Sequence, residues 1–300
     1  MGFFVFAPVT RLPSPCIDIA APIGVFDSGV GGLSVLRALH AQLPGERFVY
    51  LADSAHAPYG EKGDALVRAR SLAIAEHLVQ QQRIKALVVA CNTATAAAID
   101  ALRTALPQLP IVGVEPALKP AAQESRTHHV GVLATRGTLE SARFARLQQA
   151  QGQGTRFHVQ PCDGLAWAIE QSTSCPANDT QAAARIRALC ARYTTALGRF
   201  GQGRNEIDTL VLGCTHYVFA RQELQALVGP RVRLIDTGAA VARHTAQLLR
   251  THGALHMPAP HAGSEDALTL LATDALAALQ AAAARWLNLP ASRCHAVTVL

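Results

Sequence analysis

Ala86-Leu87-Val88-Val89-Ala90-Cys91-Asn92-Thr93 is a short apolar run that ends on a cysteine and passes directly into polar residues able to open a helix. The same grammar returns 123 residues later as Thr209-Leu210-Val211-Leu212-Gly213-Cys214-Thr215-His216. A second pair, Ile23-Gly24-Val25-Phe26-Asp27-Ser28 and Val130-Gly131-Val132-Leu133-Ala134-Thr135, repeats at an offset of 107. Uninterrupted β-branched apolar runs belong to parallel strands buried on both faces. The chain therefore reads as two related α/β halves, each with one cysteine at the C-terminal end of a strand. Ligands of open α/β sheets bind outside those ends. Two such halves facing one another place two thiols on opposite walls of one cleft.

Working outward from these runs, strands are predicted at Ile23–Phe26, Arg47–Ala52, Ala86–Ala90, Pro110–Val114, His129–Ala134, Arg156–Gln160, Asp208–Gly213, Arg231–Ile235 and Ala267–Ala272. Helical spacing of apolar residues lies between most of them, as at Leu36, Leu39 and Leu43, and again from Leu268 into the Ala-rich Asp274–Leu287. Strand–helix alternation implies parallel sheets with helices on both faces. Ser172–Asp179, Gly198–Asn205 and Gly253–Ser264 read as loops, and a helix is expected from the first of these through Leu197.

Three hundred residues suit one large α/β unit or two domains. Half of them are hydrophobic and 16% are charged, which excludes extended disorder. Aromatics at 5% argue against a stacking platform for single-stranded nucleic acid. The formal charge of +6 is carried by scattered arginines without a basic run, so it reads as a solvated surface. Seven cysteines with no C-x-x-C form neither a disulfide framework nor a zinc ribbon, and a reducing cytoplasm fits them best. No apolar run reaches the roughly 18 residues of a membrane helix. The opening MGFFVFAPVTRLPSPC has no basic residue ahead of its apolar run and reads as an extension rather than a signal peptide.

A thiol at a strand mouth just before a helix sits near the positive end of the helix dipole, which favours thiolate. Cys91 and Cys214 occupy that slot twice, and Asn92-Thr93 and Thr215-His216 follow them as caps or ligand contacts. Cys16, Cys162, Cys175, Cys190 and Cys294 are expected to be inert packing residues. Asp27-Ser28-Gly29-Val30-Gly31-Gly32 closes the first strand with a turn that lets backbone approach a ligand. The dinucleotide fingerprint fails there, because its last glycine falls on Ser34. Asp27 is expected either to partner an amine or thiol or to cap the helix beginning near Gly32. Pro58-Tyr59-Gly60 is a turn bearing an aromatic hydroxyl.

In this order, Asp27-Ser28-Gly29-Val30-Gly31-Gly32, Pro58-Tyr59-Gly60, Cys91-Asn92-Thr93-Ala94 and Gly213-Cys214-Thr215-His216-Tyr217 resemble the glutamate racemases of the aspartate/glutamate racemase superfamily. Gly113-Val114-Glu115-Pro116-Ala117, Leu133-Ala134-Thr135-Arg136-Gly137-Thr138 and Asp236-Thr237-Gly238 extend the resemblance from about Ile23 to the C-terminus. It implies two pseudo-symmetric, doubly wound, flavodoxin-like α/β domains with the active site in the cleft between them. The implied division is an extension over 1–22, a discontinuous first domain of 23–115 with 236–300, and a second domain of 116–235. The implied activity is cofactor-independent interconversion of L- and D-glutamate, supplying D-glutamate for peptidoglycan. By resemblance Cys91 and Cys214 are the acid/base pair, Asp27 assists Cys91, and His216 with Glu170 assists Cys214. Asp27, Ser28, Tyr59, Gly60, Asn92, Thr93, Thr135, Thr138, Thr215 and His216 would hold the substrate. The segment at Cys162-Asp163-Gly164 and the loop after it depart from the family pattern, which touches the lid of the second half rather than the catalytic positions.

The chemistry is consistent with two thiols. Inverting a stereocentre by proton transfer needs a base on one face and an acid on the other, with roles that swap with direction. The competing expectations are another racemase or isomerase of the superfamily, acting on aspartate, and a partner-binding role such as gyrase inhibition. A cytoplasmic enzyme with a small-molecule substrate, no metal, no nucleic acid and no membrane is expected, and a homodimer is one arrangement the resemblance allows.

Overall fold

The computed structural model describes residues 18–152, 154–176, 179–256 and 267–299. Cys16 and most of the 1–22 extension, the end of the Gly253–Ser264 loop and two residues of the Ser172–Asp179 loop lie outside the described residues.

The first run of elements is β1 (Ile23–Asp27), α1 (Leu33–Gln42), β2 (Phe48–Ala52), α2 (Asp64–Gln82), β3 (Ala86–Val89), α3 (Asn92–Ala105) and β4 (Ile111–Gly113). The second is α4 (Leu118–Glu124), β5 (His129–Ala134), α5 (Arg136–Leu139), α6 (Ala142–Gln151), β6 (Arg156–Pro161), α7 (Leu165–Ser172), α8 (Thr180–Leu197), β7 (Thr209–Leu212), α9 (Arg221–Val228) and β8 (Arg233–Ile235). The chain closes with α10 (Gly238–Thr251), β9 (Leu268–Ala272), α11 (Leu276–Leu287) and β10 (Cys294–Ala296).

Two sheets form, and every strand pair in them is parallel. One runs β10-β9-β2-β1-β3-β4 and the other β6-β5-β7-β8. The second sheet repeats the β2-β1-β3-β4 core of the first, so β1 matches β5 and β3 matches β7. That correspondence is the one announced by the two sequence repeats. The first sheet also takes back β9 and β10 after the chain has built the second.

Burial explains the apolar runs. Ile23 and Val25 of β1 face a core shared with α1, α10 and α11, while Phe26 faces the core under α2 and α3. In the second sheet Val130 and Val132 face α4 and α6, and Leu133 faces the core under α8 and α9. Gly24 and Gly131 hold the matching position. A Cβ on Gly24 would stand 2.8 Å from Ile84, and one on Gly131 3.0 Å from Leu210.

All nine predicted strands are present within a residue or two at each end. Two expectations need correction, and one strand was not foreseen. The helical spacing from Leu268 belongs to strand β9, and the helix starts only at Leu276. β9 is buried between β2 and β10, where an apolar run carries no period of its own. The short β10 was not expected; it pairs only at the sheet edge and carries little apolar pattern. Cys214 is followed by a 3₁₀ turn over Thr215–Ala220 before α9, whereas Cys91 opens α3 directly. Among the described residues, no helix is long and apolar enough to cross a membrane.

Candidate active site

The C-terminal mouths of β1, β3 and β7 meet between the sheets. β1 delivers Asp27 and the turn Ser28–Gly32, β3 delivers Cys91, and β7 delivers Cys214, Thr215 and His216. Glu170 comes from the last turn of α7. Asp27, Cys91, Cys214, His216 and Glu170 are each at most 8% exposed, so these groups are closed off from bulk water.

Asp27 lies against both the head of α1 and the Cys91 thiol, although α1 itself carries no side-chain cap. Its Oδ2 accepts the N–H of Gly32 at 2.5 Å, at the head of α1, and the hydroxyl of Thr215 at 3.2 Å from the other half. Its Oδ1 accepts the Ser28 N–H at 2.7 Å. The Cys91 thiol donates toward Ser28 Oγ at 3.9 Å and lies close enough to this carboxylate to feel its charge. Burial raises the Asp27 pKa above the usual carboxylate range against the opposing pull of His216.

Cys91 caps α3, accepting the Ala94 N–H at 3.5 Å. The helix does not win here. Burial first, and the neighbouring Asp27 charge second, push the thiol well above its ordinary value, and the Ala94 contact only moderates that. The expected dipole-lowered thiolate at Cys91 is therefore overturned: desolvation outweighs half an elementary charge.

On the opposite side, Cys214 Sγ lies 3.8 Å from His216 Nδ1, and His216 Nε2 lies 2.6 Å from Glu170 Oε2. Burial alone would lower the imidazole's pKa, but its bonds to Cys214 and Glu170 reverse this and hold it well above the ordinary histidine value. Both oxygens of Glu170 also accept the Val30 N–H, at 3.1 and 3.0 Å. Glu170 is thus buried and bonded to His216 and Val30 rather than a solvated helix residue. Cys91 and Cys214 are close enough to act on one another electrostatically.

Around this pair the hydroxyls of Thr93, Thr135 and Thr138 form a ladder across the two halves, with separations of 3.0 and 2.8 Å. Gly60 packs so tightly on Thr135 that a Cβ would stand 2.7 Å from its side chain. Asn92 is buried, and neither its Oδ1 nor its Nδ2 has a partner. Buried amides are almost always paired, so Asn92 offers unspent donors and acceptors to a polar guest. The structure gathers twelve of the thirteen expected side chains or backbone positions in this region. The exception is the Tyr59 hydroxyl, which is turned away and donates to the buried Asp53 at 2.5 Å, beside Arg70 and Thr273. What Pro58-Tyr59-Gly60 presents to the cleft is its backbone.

Sequence reasoning missed the Val30 N–H, Tyr50 behind it, and Ser34, whose hydroxyl reaches the Thr215 carbonyl at 3.1 Å. Backbone donors and residues recruited from a neighbouring strand leave no motif. Of the cysteines expected to be inert, Cys162, Cys190 and Cys294 are buried; Cys175 is only half-buried.

The family model of the Asp/Glu/hydantoin racemases matches residues 23–245. The chain is 53% identical over 232 residues to a glutamate racemase of Stutzerimonas stutzeri, covering 77% of this chain and 83% of that one. The structure is similar to a Bacillus anthracis glutamate racemase, with TM-score 0.77, 29% identity, and coverage of 93% of this chain and 97% of that one. It is also similar to the Escherichia coli glutamate racemase solved with L-glutamate and the activator UDP-MurNAc-ala, with TM-score 0.75, 32% identity, and coverage of 93% and 99%.

Proposed function

The chain belongs to the Asp/Glu/hydantoin racemase family, and from that premise we propose that it interconverts L- and D-glutamate without a cofactor through Cys91 and Cys214. The observation that carries this reading is the pair of buried thiols, each with its own acid–base partner, at equivalent strand mouths of the two sheets. Glutamate as substrate follows the relatives, including the one solved with L-glutamate. The route to peptidoglycan follows the family resemblance.

Glutamate lies between the thiols with its Cα–H toward one of them. Asn92, Ser28, Thr93, Thr135, Thr138, Thr215 and the Gly60 backbone hold its carboxylates and ammonium. In one direction Cys214 removes the α-proton, having given its own to His216, whose charge is balanced by Glu170. Cys91, which carries its proton at rest, protonates the opposite face. In the other direction Cys91 is the base, assisted by Asp27, and Cys214 the acid. Preorganised hydrogen-bond donors stabilise the carbanion's developing charge. The units that close on the substrate are 23–115 with 236–300 and 116–235, and the enzyme works in the cytoplasm.

The test is incubation of L-glutamate with the protein in D₂O without added cofactor. Loss of optical activity with deuterium gain at Cα is expected. Reaction of aspartate but not glutamate would replace the substrate, and inertness toward both would remove the activity.

A further inference from the structure

The turn Ser28–Gly32 of the first half touches the second half's relay at three consecutive residues. A Cβ on Gly29 would stand 2.5 Å from both carboxylate oxygens of Glu170, and one on Gly31 would stand 2.3 Å from His216 Nδ1. Between them, the Val30 N–H donates to both Glu170 oxygens. The peptide unit that carries this N–H is pinned at its other end. Tyr50 Oη donates to the Gly29 carbonyl at 2.5 Å.

Tyr50 stands on β2, directly beside Val25 of β1, and is fully buried. A trans peptide is a rigid plane whose C=O and N–H point in opposite directions. Holding the Gly29 carbonyl therefore fixes where the Val30 N–H points. An O–H donor on the carbonyl also polarises the unit and strengthens its N–H as a donor. A continuous chain of hydrogen bonds runs from Tyr50 through Gly29–Val30 to Glu170, His216 and Cys214. Its first two members belong to the first sheet's half and its last three to the second's.

We propose that Tyr50 is a positioning residue for the Cys214 face: through the Gly29–Val30 peptide it sets Glu170, and hence His216, in the register that serves Cys214, so the relay is complete only when the two halves are closed on each other. This rests on the racemase reading above. Tyr50 itself touches no reacting atom. The Cys91 face has its own carboxylate, Asp27, and does not run through this peptide.

The test is Tyr50→Phe, which keeps the ring and deletes the donor. The parent is assayed first with each enantiomer in D₂O; an inactive parent overturns the racemase reading before Tyr50 is at issue. In an active parent, kcat, KM, the pH profile of kcat and the isotope effect with Cα-deuterated L- and D-glutamate are compared with those of the variant. The two enantiomers have equal energy, so kcat/KM must fall equally in both directions, and the isotope effects are what distinguish the faces. Because each enantiomer is deprotonated by a different thiol, harm to one face raises the isotope effect with the enantiomer deprotonated there and lowers it with the other. A fall in kcat of about tenfold, the scale of one net hydrogen bond, is expected. KM should stay within about twofold, since the hydroxyl acts through the relay and not on bound substrate. One limb of the pH profile should move while the other stays. A merely structural hydroxyl would lower the melting temperature and leave the pH limbs and both isotope effects of the folded enzyme as they were, and that result overturns the proposal. So does an equal change with both enantiomers. If Tyr50→Phe does not fold, 3-fluorotyrosine placed at position 50 alone keeps shape and donor but changes its acidity. It should move the same limb, and an unmoved profile overturns the proposal.

Discussion

Cys91 and Cys214 hold the same place in two repeated strands, yet their surroundings differ in kind. Cys91 is flanked by a carboxylate and keeps its proton, since burial and the Asp27 charge both raise its pKa. Cys214 is flanked by an imidazole whose pKa its bonds to Cys214 and Glu170 raise. One thiol that keeps its proton, and one beside an imidazole that holds the proton the thiol has given up, are what a two-base inversion needs at rest. Replacing either with Ala should reduce racemisation by roughly 10³-fold or more, within the range of general acid–base catalysis. Polarimetry of each variant checks this, and normal turnover in either would remove the two-base mechanism. Glu170→Gln should act through His216. With its carboxylate partner gone, the imidazole's pKa falls back toward its ordinary value. NMR titration of the His216 ring should show the midpoint moving down in the variant, and an unmoved midpoint would detach Glu170 from the relay.

At the scale of elements, one buried and one half-buried polar node set the geometry around the second sheet. Asp208, just ahead of β7, accepts the Ser125 hydroxyl at 2.6 Å and the N–H groups of Arg126 and Thr127 at 2.7 and 3.0 Å. It thereby fixes the passage from α4 into β5. Burial alone would raise its pKa, but these bonds outweigh burial and hold the carboxyl below the usual range. The stabilisation is therefore fully present above the unfolded carboxylate value, about 3.9, and is lost as pH falls through the lower folded value. Asp208→Ala should cost about 2–3 kcal/mol at neutral pH, from lost charge-assisted bonds and orphaned donors. Urea unfolding should show the deficit shrinking in strong acid. On β5 and β6, His129 Nδ1 and His158 Nε2 meet at 3.0 Å. Burial, then His129, lowers the His158 pKa. A histidine lowered in the folded state favours folding above its unfolded value, about 6.5, and opposes it as pH falls below that. His158→Gln should therefore flatten the loss of stability between about pH 7 and 5, as chemical denaturation across that range would show.

The whole molecule places its chemistry between two sheets that close on one another. Thr215 to Asp27, Val30 to Glu170, Thr93 to Thr135 and Gly164 N–H to Glu61 all cross from one half to the other. With Cys91 and Cys214 this deeply covered, parting of these contacts would expose both thiols. Iodoacetamide labelling followed residue by residue by mass spectrometry should modify half-buried Cys175 before Cys91 and Cys214. Glutamate should slow the last two further by favouring closure. Labelling of Cys91 as fast as Cys175 would mean that the cleft stands open. The repeat of strand, glycine and cysteine was legible in the sequence because parallel strands buried on both faces must be apolar throughout, and because a reactive group at a strand mouth interrupts that run at a fixed place. Asp27, Cys91, Cys214 and His216 all sit at such interruptions. Glu170 was reached only through the family resemblance, since a lone acid in an amphipathic helix has no pattern to mark it. The Tyr50–Gly29–Val30 link was not legible at all. The sequence by itself therefore determined two parallel sheets and the mouths at which their reactive residues emerge, since strand burial and side-chain chemistry are local properties. Only the tertiary structure decided which thiol keeps its proton, which backbone donor reaches Glu170 and where the Tyr59 hydroxyl points. Those depend on desolvation and on groups brought together from distant parts of the chain, and neither is encoded in any short stretch.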